Sequence, residues 1–398
     1  MRVFYVADVR FPIERANGIQ TMETAHALAA LGHDVTLGVR PDTARPARDP
    51  FAFYGLPPRE RLQFQRAPVA GPYALRRIHF LLWALARASR SRFDVVVTRD
   101  LGVAAAMLRV PSRRRPPVVY ESHGYSPLFA ATIGELVPGA PAASASKLAR
   151  LERRERNVWT HASGYVSTTR VLVDDLTARW GSRPHLAVIA NGVRLEGPRM
   201  FPAPPPPGPP IVAYAGHLYP WKGSDVLIQA LAALPHAHGL VIGGNPIESD
   251  WSRVQHLAAR LGILERITFT GLLPVQAVAS RLAAATVLVV PTTATPSARY
   301  TSPLKLFEYM ALGRPIVATD LPSVREVITH DGNGLLVAPD DPGAMAAAIN
   351  RLLTDRASAE RLARRAFADV EAYTWRRRAE RVSQLLTDVT GPRRAPNS

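Results

Sequence analysis

The stretch IVAYAGHLYPWKGSDVLIQALAAL, residues 211–234, joins a short apolar run, a glycine-containing loop and a helical pattern. We predict a buried strand over Ile211–Ala215 and a helix over Ser224–Leu234. Similar units occur on both sides of this stretch, and strands that alternate with helices at this spacing predict a parallel sheet covered on both faces. The expected fold class is therefore α/β.

A proline-rich segment divides the 398-residue chain, which is long enough for two domains. Eight prolines between Pro198 and Pro210 exclude a helix or a central strand there and favour a stiff, extended connector. We expect two doubly wound, Rossmann-like domains that face each other across a cleft. The predicted parts are an N-terminal domain (1–195), a linker (196–210), a C-terminal domain (211–372), a helix that packs back toward the N-terminal domain (373–390) and a frayed tail (391–398).

The composition limits the classes of function. There are 49 Lys and Arg residues against 32 Asp and Glu, a net charge of +17, and 28 basic against 15 acidic groups place +13 of it in residues 1–195. This excess favours an anionic partner for the N-terminal half. The absence of cysteine excludes disulfides, thiolate catalysis and cysteine-bound zinc. Without a recognisable leader or a long apolar run, we predict a cytoplasmic protein.

Strand-to-helix loops are where parallel sheets bind ligands, and the loop Gly216–Gly223 is the first candidate. It carries His217 and Lys222, one of only three lysines in the chain, the others being Lys147 and Lys305. A lysine ammonium is a compact charge suited to a pyrophosphate. The alternative is a solvated lysine at the start of a helix.

The segment from Thr301 to Glu308 is the second candidate. Ser302 as N-cap, Pro303 as first helical residue and Gly313 as stop predict a helix over Pro303–Leu312. Lys305 and Glu308 share a face of it, with the cation near a phosphate and the carboxylate able to accept hydrogen bonds from a ribose diol. The alternative is a surface ion pair, worth under about 1 kcal/mol.

The third candidate is the loop Val9–Gln20, which precedes a helix predicted over Met22–Leu31 with Thr21 as its cap. It contains Asn17-Gly18, and Gly18 would allow the backbone to approach a ligand closely. The alternative is that Asn-Gly only marks a turn.

Together these motifs resemble a known family. Gly-x-Leu-x-x-x-Lys-Gly from Gly216, Ser-Pro-x-Lys-x-x-Glu-Tyr-Met-Ala-x-Gly-x-Pro-Ile-Val-Ala from Ser302, Asn-Gly-Val at Asn191 and Gly-His-x-Val at Gly32 are similar to the retaining GT-B glycosyltransferases of family four, group 1. The resemblance implies a nucleotide-diphosphate sugar donor held by the C-terminal domain and an acceptor bound by the N-terminal domain. It also implies transfer without a metal or another cofactor.

The resemblance implies a role for each matching residue. Lys222, with His217 where the family usually has arginine, would hold the diphosphate, and Glu308 the ribose hydroxyls. His123, after a strand predicted over Pro117–Glu121, would contact the donor sugar, so that His123, Lys222 and Glu308 form the catalytic set. The other donor-binding positions implied are Gly18 for the phosphates, Thr270 and Gly271 near the base, and Thr301, Ser302, Pro303, Leu304 and Lys305 around the distal phosphate and the sugar.

Two positions depart from the family pattern. Tyr300 stands where many members have a glutamate that contacts the donor sugar, and Arg194 stands where aspartate usually follows Asn-Gly-Val. Members with a Ser-Pro-x-Lys variant often lack that glutamate, so Tyr300 does not imply inactivity. These departures leave the identity of the sugar open.

A helix over Tyr73–Arg90 is predicted to be amphipathic. At about 100° per residue, one stripe would form the core face, and it consists of Leu75, Ile78, Leu82 and Leu85. Basic and aromatic residues share the other face, a pattern suited to an anionic membrane surface; they are Arg76, His79, Phe80, Trp83, Arg87 and Arg90. The alternative is that the two aromatic rings pack against neighbouring elements.

We interpret the chain as a retaining glycosyltransferase whose acceptor is a cell-envelope glycan, a lipid or a lipid-linked saccharide, and which docks peripherally on the inner face of the cell membrane. No nucleic acid partner is expected. Two alternatives stay open: a sugar-nucleotide epimerase of the same fold, and a non-catalytic polyanion-binding or partner protein.

Overall fold

The computed structural model describes residues 1–391 apart from 70, 91, 137–140, 196 and 198. It divides into two compact units. The first comprises the described residues of Met1–Glu135, Gly139–Asn191 and Trp375–Ser398, and the second comprises those of Gly192–Thr374 together with Leu136. The predicted tail lies outside the described residues except for Gly391, as do the first and third residues of the predicted linker.

The first unit is built on a seven-stranded parallel sheet with the order β3-β2-β1-β4-β5-β6-β7. Its central strands are rich in valine and buried on both faces, as sheets covered by helices require. Its strands are β1 Arg2–Arg10, β2 Asp34–Arg40, β3 Leu62–Arg66, β4 Val95–Thr98, β5 Val118–Ser122, β6 Gly164–Ser167 and β7 Leu186–Val188. The helices between them are α1 Ala16–Ala30, α2 Pro50–Tyr54, α3 Tyr73–Arg90, α4 Leu101–Met107, α5 Ser126–Leu136, α6 Ala145–His161 and α7 Arg170–Trp180.

The second unit contains a six-stranded parallel sheet with the order β10-β9-β8-β11-β12-β13. Its strands are β8 Ile211–Ala215, β9 His238–Ile242, β10 Ile267–Phe269, β11 Val287–Val290, β12 Ile316–Thr319 and β13 Leu335–Val337. Its helices are α8 Ser224–Ala232, α9 Ser249–Arg260, α10 Val275–Ala283, α11 Leu304–Ala311, α12 Pro322–Arg325, α13 Pro342–Thr354 and α14 Arg356–Asp369. Two helix-covered parallel sheets confirm the predicted α/β class.

The last helix, α15 Trp375–Thr390, belongs to the first unit. It buries Trp375, Val382 and Leu386 and packs against α1. His33, from the Gly-His-x-Val motif, places Nε2 2.7 Å from Ser383 Oγ of this helix. That histidine therefore has a structural partner in the C-terminal helix.

The predicted helix Met22–Leu31 begins earlier than expected. α1 starts at Ala16 with Arg15 as N-cap, so Thr21 is a buried helical residue and the prediction that it caps the helix is wrong. Asn17 and Gly18 lie in the first turn rather than in a loop. A Cβ at Gly18 would stand 2.5 Å from Tyr54 Oη and 2.6 Å from the Ile13 carbonyl oxygen. Close packing of this turn therefore overrides the low helix propensity of Asn-Gly.

The predicted start of the second motif's helix is also wrong by one residue. Pro303 is the N-cap of α11 and has an extended backbone, with φ −77° and ψ 122°, so that Leu304 is the first helical residue and Ser302 precedes the cap. Gly313 follows the helix with φ +59°, as predicted for a stop residue.

Helix α3 has the predicted bounds but faces the opposite way. Leu75, Ile78 and Leu82 are 48%, 50% and 59% exposed, whereas Phe80 is fully buried in a core cluster that Trp83 packs against. The prediction that Leu75, Ile78 and Leu82 face the core is wrong, although Leu85 does pack against this cluster. The alternative is confirmed, because the aromatic rings of Phe80 and Trp83 fill the space beside Phe4. None of the helices in the described part of the chain is long and apolar enough to cross a bilayer.

Candidate functional site

Backbone lines the edge of the second sheet where β8, β9 and β10 end. Gly216 follows β8 and donates its N–H to the carbonyl of Ile242 at 2.7 Å. Gly243 follows β9 and donates to the carbonyl of Gly271 at 2.9 Å. A Cβ at Gly243 would stand 2.5 Å from the Gly216 oxygen. At this edge the loops after the three strands therefore pack backbone against backbone. The doublet Gly243-Gly244 after a strand was a signal that the sequence reasoning did not use.

Helix α11 is fixed to the same edge. Tyr309 is buried, and its hydroxyl accepts a hydrogen bond of 2.8 Å from the backbone N–H of Ala215, the last residue of β8. The first turn of α11 thereby carries Lys305 over Gly216, where a Cβ on the glycine would overlap Nζ and Cε of the lysine. The ammonium also lies 5.6 Å from the centre of the Tyr214 ring.

Lys222 and Lys305 form the electropositive centre of this edge. Burial lowers the pKa of Lys222. Burial and the nearby charge of Lys222 together lower the pKa of Lys305 to about 8. Within the residues that the structure describes, neither ammonium has a hydrogen bond or an ion pair with a carboxylate. Lys222 and Lys305 are each half-buried, and together they are two neighbouring cations that an anion would stabilise.

Glu308 lies one turn deeper on α11. Burial raises the pKa of its carboxyl group, and Lys305 only partly opposes that rise. Between these two described residues there is no ion pair within 4.0 Å, so the alternative of a surface salt bridge is excluded. The carboxylate is left with acceptor capacity next to the cationic centre, which suits it to hydroxyl groups.

His217 takes part in a stack of three rings in the loop after Gly216. Its ring lies parallel to Tyr219 at 4.9 Å between centroids, and Tyr219 stacks on Trp221 at 4.8 Å. The loop then makes a 3₁₀ turn, Pro220–Lys222, and ends at Gly223, where φ is +74° and a Cβ would overlap the carbonyl of Pro291. The stack and this turn together hold Lys222 in place.

The remaining predicted donor-binding positions lie on the same unit. Thr270 donates its hydroxyl to the carbonyl of Gly271, beside Gly243. Thr301 donates its hydroxyl to the Ser297 carbonyl, and Ser302 is buried. Pro303 and Leu304 form the start of α11.

The two positions that depart from the family pattern also lie on the second unit. Tyr300 is buried, with 5% of its surface exposed, so its ring packs inside this unit. Arg194 follows Val193, whose backbone pairs with Thr374.

His123 lies on the first unit, one residue after β5. Its Nε2 is 2.7 Å from Oε1 of Glu121, and 21% of its side chain is exposed, against 1% for Glu121. Burial and the charge of Arg99 lower the pKa of His123 to about 4, although Glu121 favours its protonated form. Burial alone would raise the pKa of Glu121, but Arg378 and His123 outweigh it and lower that pKa to about 2.

Glu121 joins His123 to two distant parts of the chain. Gln20, just after Gly18 in α1, donates to Glu121 Oε1 at 2.5 Å, and so does Arg378 of α15. Arg99 donates to the Gln20 side-chain oxygen at 2.6 Å and to the Asn17 carbonyl at 3.4 Å. The Gly18 and His123 segments are thus connected in one network. Sequence reasoning identified His123 but not Glu121 or its other partners, Gln20 and Arg378.

Comparisons with known proteins agree with this architecture. The family described as glycosyl transferases group 1 matches residues 209–355, and the glycosyl transferase 4-like domain matches residues 18–192. A D-inositol 3-phosphate glycosyltransferase of Nocardia farcinica is 34% identical over 182 residues, which cover 44% of this chain and 39% of that protein. The aligned region thus spans about two fifths of the curated relative.

Two solved structures are similar over almost their whole length. A sucrose-phosphate synthase from Thermosynechococcus elongatus has a TM-score of 0.78 at 22% identity, covering 98% of this chain and 99% of that one. Anabaena HepE, solved in complex with UDP-glucose, has a TM-score of 0.71 at 17% identity, covering 98% and 100%. At these identities the likeness shows the two-domain GT-B fold.

Proposed function

We propose that this chain, which belongs to the group 1 glycosyl transferases, transfers a sugar from a nucleotide-diphosphate sugar to an acceptor with retention of anomeric configuration. The observation that carries the proposal is the pair of neighbouring ammonium groups, Lys222 and Lys305, which form no ion pair within 4.0 Å with a carboxylate among the described residues. A diphosphate would neutralise both charges and offset their mutual repulsion.

In this proposal each group at the edge has a chemical task. Lys222, assisted by His217, and Lys305 hold the diphosphate, and the backbone from Thr301 to Leu304 lies around the distal phosphate and the sugar. Glu308 accepts hydrogen bonds from the ribose hydroxyls. Thr270 and Gly271 lie beside the base. HepE has been solved with UDP-glucose, which makes a UDP-sugar the first donor to test.

The same arrangement supports the chemistry of transfer. Departure of a nucleoside diphosphate places negative charge on the leaving oxygen in the transition state. Fixed cations in a partly dry site stabilise that charge more than they stabilise the ground state. Since the resemblance implies attack on the same face as departure, the leaving phosphate would take the acceptor proton. We propose that His123 contacts the transferred sugar and that no metal ion is required.

The donor proposal is tested by thermal shift with UDP, GDP, ADP and their sugars, because a ligand that binds only the native state raises its melting point. Lys222→Ala and Glu308→Ala should each reduce the shift. Lys147→Ala is the matched control, since Lys147 is exposed on α6 and should leave the shift unchanged. Equal shifts in all three variants would refute the site.

Product analysis tests the reaction itself. Nucleoside diphosphate should appear only when an acceptor is present, and NMR of the product should show the anomeric configuration of the donor. Isomerisation of the donor sugar without an acceptor would instead indicate an epimerase. An inverted product would refute retention.

We propose that the acceptor is a cell-envelope glycan, a lipid or a lipid-linked saccharide, and that α3 docks the protein on an anionic membrane. Its exposed stripe of Leu75, Ile78 and Leu82 lies beside the exposed His79 and Arg90, and apolar and basic residues side by side suit a lipid interface. Arg87 is less available, because it donates to Gln65. The net charge of +13 in residues 1–195 likewise favours an anionic surface.

Vesicle binding tests this docking. Flotation with phosphatidylglycerol-containing vesicles at low salt should be weakened by Leu75→Ser with Leu82→Ser, and by Arg76→Glu with Arg90→Glu. Arg113→Glu with Arg114→Glu makes the same charge change elsewhere on the first unit and is the control. If the control weakens binding as much as the α3 variants, α3 is not the docking element.

A further inference from the structure

Glu121 is the meeting point of three hydrogen-bond donors in the first unit. Gln20 Nε2 and Arg378 Nη2 each lie 2.5 Å from its Oε1, and His123 Nε2 lies 2.7 Å from the same atom. The donors come from α1, from α15 and from the loop after β5. At 1% exposure of the Glu121 side chain, water has almost no access to compete for them.

The direction of each hydrogen bond follows from the donors and acceptors available. Arg99 can only donate, so the Gln20 oxygen faces Arg99 and the Gln20 amide nitrogen donates to Glu121. Arg378 can also only donate. The acceptor they share is a carboxylate, which has no proton to give. His123 must therefore carry its proton on Nε2.

The second ring nitrogen of His123 is then defined as well. Arg99 and Arg378 are cations close to this ring, and Tyr5 of β1 and Tyr120 of β5 are titratable hydroxyls near Arg99. Burial and the Arg99 charge keep the imidazole neutral near pH 7. A neutral ring protonated at Nε2 has its lone pair on Nδ1. Nδ1 can accept a hydrogen bond and cannot donate one.

We propose that Glu121 is a positioning residue that holds His123 in the Nε2–H tautomer, so that Nδ1 accepts a hydrogen bond from a hydroxyl of the transferred sugar. This rests on the proposed function. The C-terminal helix α15 contributes to this positioning, because its Arg378 is a cation that keeps Glu121 ionised. Gln20 connects Glu121 to the turn of α1 that contains Gly18.

The tautomer is measured without any activity assay. In protein labelled with ¹⁵N-histidine, the His123 resonances, assigned by their loss in His123→Ala, should show a neutral Nε2–H ring at pH 7. In Glu121→Gln the Nδ1–H form should gain population, because an amide oxygen is a weaker acceptor than a carboxylate. A wild-type ring that is protonated on Nδ1 overturns the proposal, and so does an unchanged tautomer in Glu121→Gln.

Kinetics test whether the tautomer matters. Glu121→Gln should lower kcat by about 10- to 100-fold, as loss of an orienting carboxylate does elsewhere, with an unchanged Kd for UDP at the Lys222 site. In a His123→Ala background the same substitution should cause no further loss, because Glu121 acts through His123. Additive losses would overturn the proposal, since a merely structural carboxylate would act independently.

Glu155→Gln is the matched control. Glu155 is another buried glutamate of the first unit, it binds Ser126 instead of His123, and kcat should stay unchanged. If Glu121→Gln fails to fold because Arg378 is left unpaired, Glu121→Gln with Arg378→Met removes both charges and allows the same measurements. If wild-type protein transfers no sugar from any nucleotide sugar, the proposed function fails and the NMR result alone decides the tautomer.

Discussion

Lys305 lies over the backbone of Gly216 so closely that any Cβ at Gly216 would overlap its ammonium group. Gly216, which follows β8, and Lys305, in the first turn of α11, thus form one contact, and the glycine provides the space in which the second cation lies. The position of that cation depends on the absence of a side chain 89 residues earlier in the sequence.

Gly216→Ala should therefore lower the affinity for the donor, and the main cause should be displacement of Lys305 rather than unfolding. We expect about a 10- to 100-fold loss in affinity for UDP, corresponding to one displaced charge-assisted contact, measured by titration calorimetry. The backbone at Gly216 has φ +152°, so some loss of stability is also expected. Gly208→Ala is the control, because Gly208 has φ +149° in the same unit with open space around it. Equal losses of affinity in both variants would contradict the contact.

Donor binding should depend on pH through Lys305. Its pKa of about 8 means that it loses its charge as the pH rises through 8, and an anion binds the protonated form. Affinity for UDP-glucose should therefore be constant below pH 7 and fall by up to about tenfold per pH unit above 8. Lys305→Arg stays charged and should remove this dependence, which also corrects for ionisation of the ligand. A pH profile shared by both proteins would contradict the assignment.

Glu155 should make the first unit less stable as the pH rises. Burial raises its pKa from 4.5 to about 7, so the folded state favours the protonated carboxyl, and the associated stability is present below pH 4.5 and lost between pH 4.5 and 7. Glu155→Gln should be more stable than wild type at pH 8 by about 1–3 kcal/mol, with little difference at pH 4.5. Melting temperatures of both proteins across this range measure the effect. A constant difference would contradict it.

Replacing only one member of the buried Arg378–Glu121 pair should lower the stability of the first unit. Arg378→Ala leaves a buried carboxylate without its cation and should destabilise the first unit by about 3–5 kcal/mol, seen as a lower urea midpoint by tryptophan fluorescence. Glu121→Gln with Arg378→Met should recover part of this loss, because neither member of the pair is then left charged without the other. If the double variant is less stable than Arg378→Ala, the unpaired Glu121 carboxylate is not the cause of the destabilisation.

Much of the fold could be predicted because its signals are local. Ile211–Ala215 is a strand with the predicted bounds, since short apolar runs bounded by turns have few other structures available. β3, Leu62–Arg66, was missed because its sequence LQFQR is half polar and lies at the edge of the sheet. The orientation of α3 was wrong because both of its faces carry large apolar residues, and tertiary packing decides between them.

The candidate site could be predicted only in part. Lys222, Lys305 and Glu308 stand in motifs with recognisable spacing, and the structure places them at one edge of one sheet. Glu121 and Arg378 are 257 residues apart and belong to no motif. A helix that packs back on the N-terminal domain was predicted, but no local pattern specifies which of its side chains reaches Glu121. Gly18 is also explained by a long-range contact, because a side chain there would collide with Tyr54.

The central claim is that Lys222 and Lys305 bind the diphosphate of a nucleotide sugar, and the most direct test is calorimetric titration of wild type and Lys222→Ala/Lys305→Ala with UDP, GDP, ADP and the corresponding nucleosides. At least one diphosphate should bind wild type about 100-fold more tightly than its nucleoside, and the double variant should lose that difference. Failure of all three diphosphates to bind wild type, or equal binding by the double variant, would contradict the account.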